Sequence, residues 1–124
     1  MNKPDKTKKI KPAELMNSET LKKLIEAELD DAKAEEITVI DLAGKTDIAD
    51  YMIVASGRSD RHVAAIADRV AEALKKAGCQ DLSVEGKEKA DWVLVDAIDV
   101  IVHLFRQEVR EYYNLEKMWA APMR

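Results

Sequence analysis

The sequence predicts a mixed α/β domain, a roughly five-stranded sheet flanked by helices. Three observations predict it. Tyr51–Ser56 (YMIVAS) is a nearly continuous apolar run ending in Ser-Gly, the pattern of a short strand buried on both faces. A turn carries that run directly into a strongly amphipathic helical segment, so strand, turn and helix form one α/β unit. Further on, Trp92–Asp96 and Val100–Phe105 read as two strands joined at Ala97-Ile98-Asp99. Hairpin strands are antiparallel, so a wholly parallel sheet is excluded.

In chain order, residues 1–16 read as a basic, disordered tail, residues 17–119 as the domain, and residues 120–124 as a short C-terminal tail. Pro4 and Pro12 discourage regular structure in the first of these. The first helix is expected over Glu19–Lys33, with Asn17 or Ser18 as its cap and Leu21, Leu24, Ile25, Leu29 and Ala32 on one face. Glu36–Leu42 (EITVIDL) follows as a strand, and Ala43-Gly44-Lys45 as a turn. After Tyr51–Ser56, Ser59 or Asp60 caps the second helix. Its apolar stripe is Val63, Ile66, Ala67, Val70, Leu74 and Ala77, and Gly78 marks its end. Leu82–Glu85 is a short strand, Gly86–Ala90 a polar loop, and the hairpin comes next. From Arg106 the pattern turns helical, with Val109, Tyr112, Tyr113 and Leu115 facing inward and Met118 and Trp119 closing the ordered part.

Composition narrows the function classes. The chain has 124 residues, one domain's worth, with 47% hydrophobic and 35% charged residues. Five lysines against Asp5 and Glu14 leave the first 16 residues at +3; the net charge is −4, so the other 108 carry −7. A surface of that sign does not track phosphates, although it suits a basic protein, and the Lys-rich tail is the segment that would tether RNA. Cys79 is the one cysteine, so no intrachain disulfide forms. Cys79, His62 and His103 are too scattered for a zinc site. No apolar run approaches the roughly 20 residues of a membrane span, and the charged N-terminus lacks a signal peptide's apolar stretch. The expected location is the cytoplasm.

Four groups of residues bear on chemistry. The turn SGRSDRH opens a helix after a strand, and Ser56, Arg58, Ser59 and Arg61 could meet an anion or RNA there. It is neither a GxxxxGK[ST] loop nor a GxGxxG loop, and an ordinary capped turn accounts for it better. Asp41, Asp91, Asp96 and Asp99 could hold magnesium only if they converged, whereas aspartate beside a turn is commonly a backbone partner. No nucleophile is paired with a base: Cys79 is remote in sequence from either histidine, and no serine sits in a GxSxG elbow. The aromatics are more telling. Of six, five follow residue 91: Trp92, Phe105, Tyr112, Tyr113 and Trp119. Trp92 reads as interface or core and Phe105 more as core.

At these residues the chain resembles a known family. EGKEKADWVLVDAIDVIVHLFRQEVREYYNLEKMW is similar to the signature of the bacterial ribosomal silencing factors, the Iojap-like family. SGRSDRHVAAIADRV and DLAGKTDIADYMIVAS resemble its earlier blocks, and together the resemblance covers about residues 19–119. It implies a mixed sheet distantly similar to nucleotidyltransferases and no catalytic residue, metal or cofactor. The implied partner is a basic protein on the intersubunit face of the large ribosomal subunit, the one called L-fourteen. The implied mechanism is steric: the bound factor blocks joining of the 30S and 50S subunits and represses translation when nutrients are scarce. Partner contacts carried over onto the matching block are Asp91, Trp92, Asp96, Asp99, His103, Phe105, Glu108, Arg110, Tyr112 and Tyr113. One departure stands out: the family usually has Gly where this chain has Ile98, so the turn is either strained or differently folded. The rival readings are a nucleotidyltransferase-like phosphoryl transferase and a large-subunit assembly factor touching ribosomal RNA. A homodimer through an apolar sheet face is a further expectation.

Overall fold

In a computed structural model, residues 17–115 and residue 117 are described. The two expected tails, Met118 and Trp119 lie outside them.

Asn17 starts helix α1 (Ser18–Asp31), its Oδ1 accepting from the backbone N–H groups of Glu19 and Thr20. The helix ends two residues before the expected Lys33, because Lys33 turns to φ +66° and Ala34 N closes back onto Leu29 O. Strand β1 (Glu35–Asp41) pairs antiparallel with β2 (Tyr51–Gly57). Its register slips between Glu35 and Thr38, where Glu36 takes φ +50°, so β1 carries a bulge. Ser59 caps helix α2 (Asp60–Lys76) by accepting from His62 N, and Lys75 and Lys76 place positive charge at its C-terminal end. Strands β3 (Ser83–Glu85), β4 (Trp92–Asp96) and β5 (Val100–Arg106) and helix α3 (Gln107–Tyr113) complete the described chain.

The sheet order is β1-β2-β5-β4-β3. β2 and β5 are parallel at its centre, and every other pairing is antiparallel. The expected mixed sheet, the β4–β5 hairpin and the burial of YMIVAS on both faces are all present, Met52–Gly57 being buried without a break.

Alternation along the strands gives the sheet two unlike faces. Val93 and Val95 of β4, Val102 and Leu104 of β5, and Ile53 and Ala55 of β2 face the helices. There they meet Leu21, Ile25 and Leu29 of α1 and Val63, Ile66, Val70 and Leu74 of α2. Arg69 ties the two helices by ion pairs to Asp31 and Glu28. The opposite face has a smaller core, Ile40, Leu42, Ala49, Met52, Val54 and Phe105, packed by Val109 and Leu115. Beyond that small core, Trp92, Leu94, Asp96, Ile101 and His103 of this second face are only partly buried.

Two turn glycines separate conformational strain from steric collision. Gly44 has φ +79° with open space around its α-carbon, whereas at Gly86 (φ +91°) a Cβ would run into the Trp92 carbonyl oxygen. Gly44→Ala is therefore expected to cost about 1 kcal/mol and Gly86→Ala about 2–3 kcal/mol, measured by urea denaturation.

Candidate functional site

The second face is organised where β5 hands over to α3. The hairpin register pairs Trp92 with Phe105, which sets Asp91 opposite Arg106. Arg106 N donates to Asp91 O at 3.0 Å, and its guanidinium reaches Asp91 Oδ1 at 2.8 Å and Glu108 Oε2 at 3.3 Å. One cation thus joins two carboxylates and fixes where the helix leaves the strand.

Helix α3 is rotated from the sequence expectation. Val109 and Leu115 pack inward as expected, but Tyr112 is 81% and Tyr113 48% exposed. The residue that goes in is Arg110, 5% exposed. Its Nη1 donates to Ser56 Oγ at 2.8 Å, its Nη2 donates to Thr38 Oγ1 at 3.1 Å, and Glu36 Oε1 lies 3.9 Å away. The reason is electrostatic: a buried guanidinium needs partnered oxygens, and β1 and β2 supply them under this helix. The bulge in β1 falls at the residues that carry two of those oxygens, Glu36 and Thr38.

With Arg110 inside, the aromatic rings gather at the rim. The Trp92 ring lies 5.0 Å from Phe105, 4.7 Å from Tyr113 and 5.8 Å from His103, centroid to centroid, and Tyr112 stands edge-on to Tyr113. Trp92 Nε1–H donates to His103 Nδ1 at 2.9 Å. That bond needs an unprotonated Nδ1, so the histidine is the Nε2–H tautomer and offers a donor to a ligand. Burial pushes the His103 pKa down to about 4. A shallow groove of about 310 Å³ runs beside these rings, lined by Asp91, Trp92, Glu108, Val109, Tyr112 and Tyr113. It is apolar at its floor and acidic at its rim, a chemistry that takes a basic or aromatic side chain.

Half of the expected partner contacts therefore line one groove, Asp91, Trp92, Glu108, Tyr112 and Tyr113, and His103 joins them through its hydrogen bond from Trp92. Phe105 and Arg110 are buried, the first against the Trp92 ring and the second against Ser56 and Thr38. Asp96 and Asp99 sit apart at the hairpin tip, where Asp96 Oδ1 accepts from Ile98 N and the Asp99 carbonyl accepts from Asp50 N and Tyr51 N. Ile98 takes φ +73°, the strained of the two conformations expected for that turn. Sequence reading missed Arg106; counting the hairpin pairs outward from the turn would have set it opposite Asp91.

The SGRSDRH turn is closed upon itself. Ser59 Oγ accepts from His62 N, Asp60 Oδ1 from Arg61 N, and His62 Nδ1 from Arg58 N at 3.0 Å. His62 Nε2 then reaches the Ala32 carbonyl at 3.1 Å, which staples the turn to the end of α1. Three backbone donors that an anion would use already have partners, while the Arg58 and Arg61 side chains stay exposed. Ser56, buried on Arg110, is no part of that turn's surface. Among the described residues no three His, Cys, Asp or Glu side chains come together to hold a metal ion, and the Cys79 thiol pKa is raised by burial.

Residues 15–123 match the protein family described as "Ribosomal silencing factor during starvation". The chain is 55% identical over 101 residues to the ribosomal silencing factor of Zymomonas mobilis, covering 82% of this chain and 76% of that one. It is 42% identical over 109 residues to the ribosomal silencing factor of Bacillus subtilis, covering 87% and 92%. A crystal structure of a Chromobacterium violaceum protein superposes with a TM-score of 0.80 at 40% identity, covering 86% of this chain and 88% of that one.

Two measurements check this geometry. Arg110→Met would leave the buried Ser56 hydroxyl without its guanidinium and is expected to destabilise the fold by about 2 kcal/mol in urea denaturation. His103 is expected to titrate near pH 4 by NMR of its ring protons, because burial disfavours its charged form. Because folding lowers this pKa, the neutral ring's contribution to stability is complete above pH 6.5 and is lost as pH falls from there through 4.

Proposed function

We propose that this chain, which belongs to the family of ribosomal silencing factors, represses translation by docking the open face of its sheet on the large ribosomal subunit and sterically blocking its joining to the small one. The docking partner in this reading is a basic protein of the intersubunit face, L-fourteen. The observation that carries the reading is the half-open aromatic cluster around Trp92, with the Asp91 and Glu108 carboxylates at its rim. Aromatic side chains that combine buried area with a polar tip supply most of the energy at protein interfaces. The charge of −7 outside the first 16 residues favours a basic partner and hastens encounter with it.

Action by bulk requires no catalytic residue, metal or cofactor, and it assigns the domain to residues 17–119, working in the cytoplasm. A phosphoryl transferase finds little support in a turn whose backbone donors are bonded internally. In the silencing reading, contact with ribosomal RNA falls to the exposed Arg58 and Arg61 and to the Lys-rich residues 1–16. A homodimer would use the same open face and compete with the ribosome for it.

The test is sedimentation of purified 30S and 50S subunits with excess protein. The expected result is cosedimentation with 50S and a reduced 70S peak; normal joining with no 50S binding would overturn the reading. Trp92→Ala should weaken 50S binding about thirtyfold, a loss of about 2 kcal/mol, while the variant remains folded.

A further inference from the structure

The tip of the β4–β5 hairpin carries a feature that neither the core nor the aromatic cluster explains. Asp99 N donates to Ala97 O at 2.9 Å, closing a three-residue turn on Ile98 at φ +73°. This is the γ-turn of positive φ, a rare and strained conformation, and a β-branched residue is the least suited to it. The Ile98 backbone N–H is held by Asp96 Oδ1 at 2.9 Å, so the turn is fixed. Burial does not repay the strain, since the Ile98 side chain is 54% exposed.

A second isoleucine stands on the loop beside it. Ile48 is 68% exposed, and its N–H is held by Thr46 Oγ1 at 3.1 Å. That loop is tied to the hairpin tip by Asp50 N and Tyr51 N, which donate to Asp99 O at 2.8 and 3.2 Å, and it is anchored by the buried Ala49. Two hydrogen-bonded loops thus present aliphatic side chains at one end of the sheet. Acidic residues flank both: Asp47 and Asp50 beside Ile48 are exposed, and Asp96 and Asp99 beside Ile98 are half-exposed. Lys45 is the one basic residue in these loops (residues 42–50 and 97–99).

We propose that Ile48 and Ile98 form a second docking patch that takes a basic protein segment presenting an aliphatic side chain among Lys or Arg residues. The inference rests on the ribosomal reading above and deepens it, giving the basic partner a second point of contact at the hairpin tip. Four carboxylates select cations and repel a nucleic-acid backbone or another acidic chain. The isoleucine pair adds a demand that charge alone does not make, an apolar side chain between those cations. Backbone strain of this kind clusters at sites of contact and switching.

The test uses Ile98→Gly, because glycine adopts φ +73° without strain and removes the side chain. The expected result is a thermal midpoint no lower than that of the parent chain, with affinity for 50S subunits reduced about tenfold; Ile48→Ser should weaken binding similarly. Unchanged affinity in both variants would overturn the proposal. A second arm separates it from the ribosomal reading. A peptide of alternating Lys and Leu should shift amide NMR signals of residues 47–50 and 96–99 in the parent chain but not in Ile98→Gly. A Lys-Gly peptide of equal charge should have a far smaller effect. Equal shifts with both peptides, or none with either, would overturn the patch. Failure of the parent chain to bind 50S, with the Leu-dependent shifts intact, would overturn only the ribosomal assignment.

Discussion

The parallel pairing of β2 with β5 is the constraint from which the rest of the structure follows. Tyr51–Gly57 and Val100–Arg106 lie side by side at the centre of the sheet and run the same way. Parallel neighbours cannot be joined by a tight turn, so the intervening chain must cross over, and α2, β3 and β4 are that crossing. The helix it contains must cover one face. The strands it contains must extend the sheet past β5, which leaves β1 and β3 as the outer strands.

The same constraint divides the faces. Two long helices seal one side, and among the described residues the other is covered by the seven-residue α3 with Leu115 just beyond it. So short a helix cannot bury an apolar stripe wide enough to hold itself down. It is held instead by Arg110, whose guanidinium enters between β1 and β2, and by Arg106, which grips Asp91 and Glu108. Polar anchoring lets the tyrosines turn outward and keeps Trp92 half-covered. The aromatic groove is thus a product of how α3 is fastened rather than an addition to a finished core.

Much of the fold was legible in the sequence because it was written in local signals. The Asn17 and Ser59 caps, the stripe of α2, the apolar run of β2 and the alternation of β4 and β5 each depend on a few neighbouring residues. The helix after β5 was legible as a helix but not in its rotation. In two turns, Val109 with either Arg110 or Tyr113 makes an equally good inner face, and the choice falls on oxygens contributed by Ser56 and Thr38, more than fifty residues away. The bulge in β1 is unreadable for a similar reason, since it depends on what packs above it. Of the site, the acidic and aromatic block was visible as composition. Its separation into a groove beside α3 and a distinct hairpin tip came only with the register, and Ile48, far off in sequence, joined that tip only in three dimensions.

The outer strands have a consequence for how the protein behaves when crowded. β3 offers three residues with Ser83 and Glu85 exposed, and β1 is kinked by its bulge and carries the exposed carboxylates of Glu36 and Asp41. A strand from another molecule finds no long, straight, uncharged ladder to extend at either border. Runaway strand-by-strand aggregation is thereby discouraged, even though YMIVAS and VIVHLF are the sort of segments that feed it. The chain can keep an adhesive face open to a partner because its borders are not adhesive.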